Sequence, residues 1–385
     1  MMKGKRALLL VFVLGQLSVF GQKKELAATP PMGWNSWNTF HCHINEQLVR
    51  ETADHMVSSG MKDVGYEYVV MDDCWQVGRD ASGKIIADPE NFPSGIKALA
   101  DYVHSKGLKF GLYSDVGTMT CQKRPGSLGY EKIDAETYEE WGVDFLKFDW
   151  CHHGDLKAEE AYFPMGDELA KLNRDIVYNI CNWGEKEPWK WAGQTGHMWR
   201  TTGDIVPRFS GPTLPFFQTV VDIIDKQAVL YPYAKPGSWN DPDMLEVGNK
   251  LSYSEGKAHF TMWCMMAAPL IAGNDLRNMS AETAEILTNK EMIAVDQDVL
   301  GKQGRRIVDN GKNEIWVKEL ANGEKAICFF NRSRRKWSVQ PDWAALGVKP
   351  NQTLRDLWKH EDLGVSEAVN SLTVLPRNVL VFRVK

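Results

Sequence analysis

The sequence predicts a (β/α)8 TIM barrel followed by a C-terminal antiparallel β-sandwich domain. Three observations carry that expectation. From Pro30 onward, short apolar runs alternate with longer stretches whose apolar residues recur every three or four positions. Eight such units fit into roughly 250 residues, the usual span of a parallel α/β barrel. After Gly301 the texture changes to short alternating runs separated by Asp309-Asn310-Gly311, Ala321-Asn322-Gly323 and Asn331-Arg332-Ser333, which read as turns of an antiparallel sheet.

Taken in order, the chain begins with Lys3, Lys5 and Arg6, an apolar run from Ala7 to Phe20, and then Gly21 and Gln22. That is the layout of a cleavable secretory signal, assigned to residues 1–22. The run is too short for a membrane span, and no later segment is long and apolar enough to be one. The mature chain is therefore expected to be periplasmic or secreted and free of the membrane.

The barrel is assigned to residues 23–300. Its strands are predicted at Met32–Trp34, Tyr68–Met71, Lys109–Tyr113, Asp144–Phe148, Ile176–Ile180, Met198–Thr201, Ser238–Trp239 and Pro269–Ala272. Helical spacing recurs at Glu46–Ser59, Gly95–Lys106 and Ala135–Trp141, with a last helix over Ala281–Val299. A doubly wound open sheet is the competing fold, but it wants a glycine-rich phosphate loop after its first strand, and Gly33-Trp34-Asn35-Ser36 is no such loop. The C-terminal domain, residues 301–385, is expected to use Ile307–Val308, Glu314–Leu320, Ala326–Phe330, Trp337–Val339, Thr353–Asp356 and Leu372–Val384 as strands.

Composition narrows the function. The net charge is −5 with no basic run, which argues against a nucleic-acid partner. Fifteen tryptophans hint at carbohydrate, because an indole offers a flat apolar face and one donor. The seven cysteines show no C-x-x-C spacing, and an exported chain would pair some of them. His41-Cys42-His43 and Cys151-His152-His153 look metal-like, but neighbours on a strand point to opposite faces and do not converge on one ion. No metal and no cofactor is expected.

The chemistry lies at the strand ends, which share one rim in a parallel barrel. Polar residues there are Asp72 and Asp73 after the second strand, Asp115 after the third, and Lys147 and Asp149 at the fourth. Asn182 follows the fifth, Arg200 and Asp204 the sixth, and Asp241 and Asp243 the seventh, with Trp37 after the first. One Asp at a strand end is as easily a helix cap as a catalytic group. Caps explain one or two of these acids, but hardly carboxylates at most of the rims. Acids, a Lys, an Arg and indoles together suit a polyhydroxylated ring, and two acids in one pocket suit cleavage of a glycosidic bond. One of them must be protonated to donate, which burial would favour at Asp204, while Asp149 must stay ionised, helped by Lys147 on the same strand face.

At this point the chain resembles a known family. The strings Thr29-Pro-Pro-Met-Gly-Trp-Asn-Ser-Trp, Met71-Asp-Asp-Cys-Trp, Tyr113-Ser-Asp-Val-Gly, Leu146-Lys-Phe-Asp, Arg200 to Asp204 and Trp239-Asn-Asp-Pro-Asp-Met are similar to glycoside hydrolase family 27, the α-galactosidases and α-N-acetylgalactosaminidases, over nearly the whole mature chain. The resemblance implies a barrel with a C-terminal β-domain and a retaining double displacement, with Asp149 as nucleophile, Asp204 as acid/base and the two carboxyls about 5–5.5 Å apart. It implies a sugar pocket of Trp37, Asp72, Asp73, Tyr113, Lys147, Cys181, Asn182, Trp183, Arg200, Asp243 and Met244. It also implies disulfides Cys42–Cys74 and Cys121–Cys151. Where the family's galactosidases carry Cys-Glu-Trp-Gly, this chain has Cys181-Asn182-Trp183-Gly184, which bears on the sugar and not on the reaction. Terminal α-galactose on an oligo- or polysaccharide is the leading substrate, since both Asp72 and Asp73 are kept. β-L-arabinopyranoside and α-N-acetylgalactosaminide are the alternatives within the family. A non-catalytic sugar-binding protein and a metal-dependent hydrolase are the alternatives outside it.

Overall fold

The structure, a computed structural model, describes residues 26–385, so the signal assigned to residues 1–22 lies outside the described residues. Eight parallel strands form the ring: β1 (Met32–Asn35), β2 (Tyr68–Met71), β3 (Lys109–Asp115), β4 (Phe145–Asp149), β5 (Val177–Cys181), β6 (Met198–Arg200), β7 (Trp239–Asp241) and β8 (Leu270–Ala272). Strands such as Tyr68-Val69-Val70-Met71 are buried at every position, as a parallel sheet covered by helices requires. Neighbours pair from β8 through β1 and on to β7. The ring closes through Leu245, whose N–H donates to the Ile271 carbonyl at 2.7 Å and whose own carbonyl accepts from the Gly273 N–H at 3.0 Å.

Three details of the barrel part differ from the sequence expectation. The seventh strand runs on through Asn240 and Asp241, polar residues whose side chains find buried partners in Trp199 and Leu230 and in Asn179. The expected helix over Ala281–Val299 is two helices, Ala281–Leu287 and Lys290–Asp296. The Asn289 side chain between them accepts from the Glu291 and Met292 N–H groups as a cap. A hairpin of Gln76–Arg79 and Ile85–Ala87, absent from the expectation, projects beyond the second strand.

The C-terminal part has β9 (Arg305–Asp309), β10 (Asn313–Glu319), β11 (Lys325–Asn331), β12 (Trp337–Val339), β13 (Thr353–Asp356), β14 (Glu361–Val365), β15 (Leu372–Val374) and β16 (Asn378–Val384). Six of them form an antiparallel sheet in the order β9-β10-β11-β16-β13-β14, and β12 pairs with β15 as a second layer. The expected single run over Leu372–Val384 divides because Pro376, which has no N–H to give a ladder, separates β15 from β16. Strand alternation gives the large sheet two apolar faces. Ala326, Cys328, Phe330, Val379 and Val381 join the barrel core, while Ile327, Phe329, Phe382 and Val384 pack toward the second layer. Between barrel and sheet lies the helix Tyr253–Met265, with nine of its thirteen residues buried. Polar ties cross the same boundary: Arg332 and Arg306 both bond Asp225, and Lys318 Nζ donates to the Cys264 carbonyl at 2.9 Å.

No helix among the described residues is long and apolar enough to cross a membrane. The disulfides are Cys42–Cys74 and Cys121–Cys151, while Cys181, Cys264 and Cys328 are buried and unpaired.

Candidate active site

The parallel register of β3, β4 and β5 builds the floor of the site. Tyr113, Lys147 and Asn179 lie side by side, and Asp115, Asp149 and Cys181 lie side by side one pleat nearer the rim. Residues two apart on a strand share a face, so Lys147 and Asp149 turn toward one space together with Tyr113. That space is a cavity of about 440 Å³ at the strand C-termini.

Asp149 sits at its base, buried. Its Oδ2 accepts the Tyr113 hydroxyl at 3.0 Å and its Oδ1 accepts the Trp150 N–H at 2.9 Å. Burial pushes its carboxyl up to about 6, against the pull of the Lys147 ammonium. Asp115 beside it is raised by burial and then by the charge of Asp149, and serves the loops: it accepts the N–H groups of Gly117 and Cys151. The Cys121–Cys151 bridge ties the segment after Asp149 to the loop after β3.

Lys147 Nζ meets Asp72 Oδ2 at 2.8 Å, and Asn35 Nδ2 donates to the same oxygen at 2.8 Å. Burial works against the Lys147 charge, and Asp72 above all restores it. Asp73 is held by the Thr120 hydroxyl and by the N–H groups of Cys74 and Gln122, and burial raises its pKa. Both carboxylates keep acceptor capacity for ligand hydroxyls, since each oxygen carries two lone pairs.

Across the cavity Arg200 Nη2 lies 2.9 Å from Asp243 Oδ2 and 3.1 Å from Asp204 Oδ1. Asp243 also accepts the N–H groups of Ile205 and Met244, so one buried acid holds Arg200, the loop after Asp204 and its own strand end. Burial lifts Asp243 to about 6, opposed by Arg200. Asp204 differs from every other acid here. Its side chain is 34% exposed, so the burial expected from the sequence is not how it sits; it stands at the mouth with one oxygen on Arg200.

Of the residues expected in the pocket, Trp37, Asp72, Asp73, Tyr113, Lys147, Asp149, Trp183, Arg200, Asp204, Asp243 and Met244 line this cavity. Cys181 and Asn182 do not. Cys181 is buried with its Sγ 3.7 Å from Arg200 Nη1. Asn182 is fully buried and gives its amide to the Glu185 carbonyl, where it shapes the turn that presents Trp183. Sequence reasoning missed Asn38, His41, Gln122, Phe216 and Phe217, which also line the cavity. Asn38 was within reach, one residue past Trp37, and its amide is fixed by the buried Glu246. The two phenylalanines come from a loop that no periodicity marks. Cys42 and Cys151, the cysteines of the two histidine-rich strings, are each taken up in a disulfide.

A buried, hydrogen-bonded carboxylate facing an open one, at the rim of a parallel barrel and beside indole faces, is the working arrangement of a glycoside hydrolase. The comparisons sharpen that class. Residues 29–298 match the family described as Alpha galactosidase A, and residues 310–384 match the Alpha galactosidase C-terminal beta sandwich domain; the chain belongs to the alpha-galactosidase family. It is 50% identical over 352 residues to Alpha-galactosidase A of Cellvibrio japonicus, covering 90% of this chain and 85% of that protein. Among solved structures, alpha-galactosidase I from Mortierella vinacea has a TM-score of 0.90 at 38% identity, covering 94% of this chain and 98% of that one. The α-galactosidase of Saccharomyces cerevisiae, solved with raffinose, has a TM-score of 0.88 at 29% identity, with coverage of 94% and 98%.

Proposed function

We propose that this chain hydrolyses terminal, non-reducing α-D-galactosyl residues of oligosaccharides or polysaccharides by a retaining double displacement. One observation carries the reading: two carboxylates face one cavity from opposite surroundings, Asp149 buried and braced, Asp204 open at the mouth. Asp149 attacks the anomeric carbon while Asp204 gives its proton to the leaving oxygen, and a galactosyl ester forms on Asp149. Asp204, now ionised, takes a proton from water, whose oxygen attacks the same carbon and frees galactose and Asp149. The two halves invert configuration once each, so the anomer is retained.

The other cavity groups fit that sugar. Lys147 with Asp72 and Asp73 offers a charged donor and acceptors to the axial and primary hydroxyls, Arg200 and Asp243 serve the opposite edge, and Trp37 and Trp183 cover the ring's apolar side. Cys181 and Asn182 support this wall from behind. The raffinose bound in the yeast relative is a galactosylated sugar of the class assigned here. Export through the signal at residues 1–22, a catalytic unit to residue 300 and a β-domain from 301 complete the proposal.

Azide tests the roles. Asp149→Gly with azide should convert an activated α-galactoside to β-galactosyl azide, and Asp204→Gly should give the α-azide, because each variant leaves one displacement intact. The same anomer from both variants would refute the assignment. On wild type, faster cleavage of nitrophenyl β-L-arabinopyranoside than of nitrophenyl α-galactoside would overturn the choice of sugar.

A further inference from the structure

Of the two acids at the end of the seventh strand, Asp243 lines the catalytic cavity and Asp241 does not. Asp241 lines instead a smaller space in the middle of the barrel, about 20 Å³ in volume. That space shares Lys147, Arg200 and Asp243 with the catalytic cavity, and Phe145, two residues before Lys147 on β4, lines it on the side away from the rim. Inside a parallel barrel this level is usually filled by branched apolar side chains. Here Asn179 and Asp241 stand in it, each 5% exposed, and the chemistry above uses neither.

The hydrogen bonds around that space are unevenly filled. Asp241 Oδ1 accepts the Asp243 N–H at 2.9 Å, and Asp241 Oδ2 accepts the Asn179 amide at 3.2 Å. A carboxylate only accepts, so the Asn179 nitrogen faces it, and the Asn179 oxygen is left with no protein partner. Arg200 spends its Nη atoms on Asp243, Asp204, the Thr202 carbonyl and the Cys181 sulfur, and its Nε–H has no protein partner either. Both orphaned atoms belong to buried residues that line the small space. Burial raises the Asp241 carboxyl and Arg200 is the chief charge opposing it, although the ion pairs of Arg200 go to Asp204 and Asp243. A buried donor and a buried acceptor are costly to leave unmade, and a space of this size holds about one water. Such a water would have the three partners usual for a buried one: it accepts from Arg200 Nε and donates to Asn179 Oδ1 and to the Asp241 carboxylate.

We propose that Asn179 and Asp241, joined to Arg200 Nε by one buried water, are positioning residues that hold the Arg200 guanidinium from beneath. Arg200 in turn carries Asp204 and Asp243, so this polar floor sets the place of the proton donor and of one edge of the sugar site. The water follows from the geometry alone, whereas the positioning role rests on the galactoside reading. A crystal structure of the mature wild-type protein, at a resolution that shows ordered waters, should place one within hydrogen-bond distance of both Asn179 Oδ1 and Arg200 Nε. A well-ordered map without it overturns the proposal. Asn179→Leu fills the space with an apolar side chain and should remove that water. On nitrophenyl α-galactoside it should lower kcat/KM by about tenfold to a hundredfold, the scale for a catalytic group displaced by up to about 1 Å. Asn179→Thr, whose hydroxyl keeps an acceptor there, should restore most of the rate. In an Arg200→Lys background, where the guanidinium Nε–H is gone, the Asn179→Leu change should cost less than about twofold more, because the two residues act as one unit. An Asn179→Leu protein as active as wild type, or one that loses equally in both backgrounds, overturns the positioning role. A wild type that cleaves no α-galactoside overturns the galactoside reading and the role with it, and the water in the map tells that failure from the first.

Discussion

Replacing Tyr113 with Phe removes one oxygen and leaves the ring that packs 5.3 Å from the Lys147 ammonium. What is lost is the hydrogen bond from the Tyr113 hydroxyl to Asp149 Oδ2 at 3.0 Å. Burial, and then the charge of Asp149, holds the Tyr113 pKa far above its ordinary value, so the phenol remains a donor across the working pH range. It bonds the ionised form of Asp149 better than the protonated one. A hydrogen bond to a charged group is worth about 1.5–3 kcal/mol, and about 1.4 kcal/mol moves a pKa by one unit. Without it, Asp149 should titrate about one to two pH units higher than its present value of about 6. As the proposed nucleophile, Asp149 must be ionised, so activity should be lost as pH falls through that value. The acid limb of kcat/KM for an activated α-galactoside, measured from pH 4 to pH 9, should therefore move up by about one to two units in the variant. A damaged fold lowers the whole profile without sliding it. A limb that stays where wild type has it would refute the role given to Tyr113.

Lys147→Met leaves Asp72 buried without its cation and should cost about 3–5 kcal/mol of stability in urea, besides raising KM; a loss under about 1 kcal/mol would contradict the buried pair. His197 Nδ1 and His259 Nε2 accept the N–H groups of Tyr178 and Glu246, and burial depresses the two rings to about 4 and about 3. The unfolded chain takes up these protons below about pH 6.5 and the folded one does not, so their stabilisation is complete above that pH and drains away as pH falls toward 4, by about 3 kcal/mol for His197. His197→Asn, which keeps an acceptor near the Nδ1 position, should flatten the melting temperature against pH over that window; an unchanged slope would count against it. Removing both Cys121 and Cys151 frees a loop with a sequence separation of 30 and should cost about 3–4 kcal/mol by loop entropy; the bridge also fixes the chain just after Asp149, so kcat should fall too, and an unaltered kcat would deny it that second role.

How much of this was legible depended on whether a residue's partner was close in the chain. β2 was readable because a strand covered on both faces is apolar throughout, and β4 because Lys147 and Asp149 alone interrupt its apolar residues, Asp149 standing out as a charge at the strand end. β7 was cut short because Asn240 and Asp241 look like turn residues until Trp199, Leu230 and Asn179 supply partners from elsewhere. Of the tryptophans that hinted at sugar, Trp37 and Trp183 line the cavity. Yet Trp34, Trp75, Trp199, Trp239, Trp263 and Trp316 are wholly buried, and their number reflects the core. Asp204 stood out as a rim acid before the resemblance gave it a role, but its openness did not, because exposure depends on how the loop through Phe216 folds back over Gly203. Asn182 was given a place against the sugar by sequence position, whereas its amide is turned onto Glu185.

The two-faced strands of the C-terminal sheet bear on how the protein is made. β16 comes last in the sequence, yet it lies in the middle of its sheet, between β11 and β13. Its Val379 and Val381 help seal the barrel core along the helix Tyr253–Met265, and its Phe382 and Val384 fill the sandwich. During synthesis from the N-terminus, the barrel strands and their rim acids emerge well before residues 378–384, and the surface against which that helix packs is complete only when they arrive. The nascent barrel must therefore wait with an apolar flank uncovered, and the final residues act as a latch that closes both cores at one stroke.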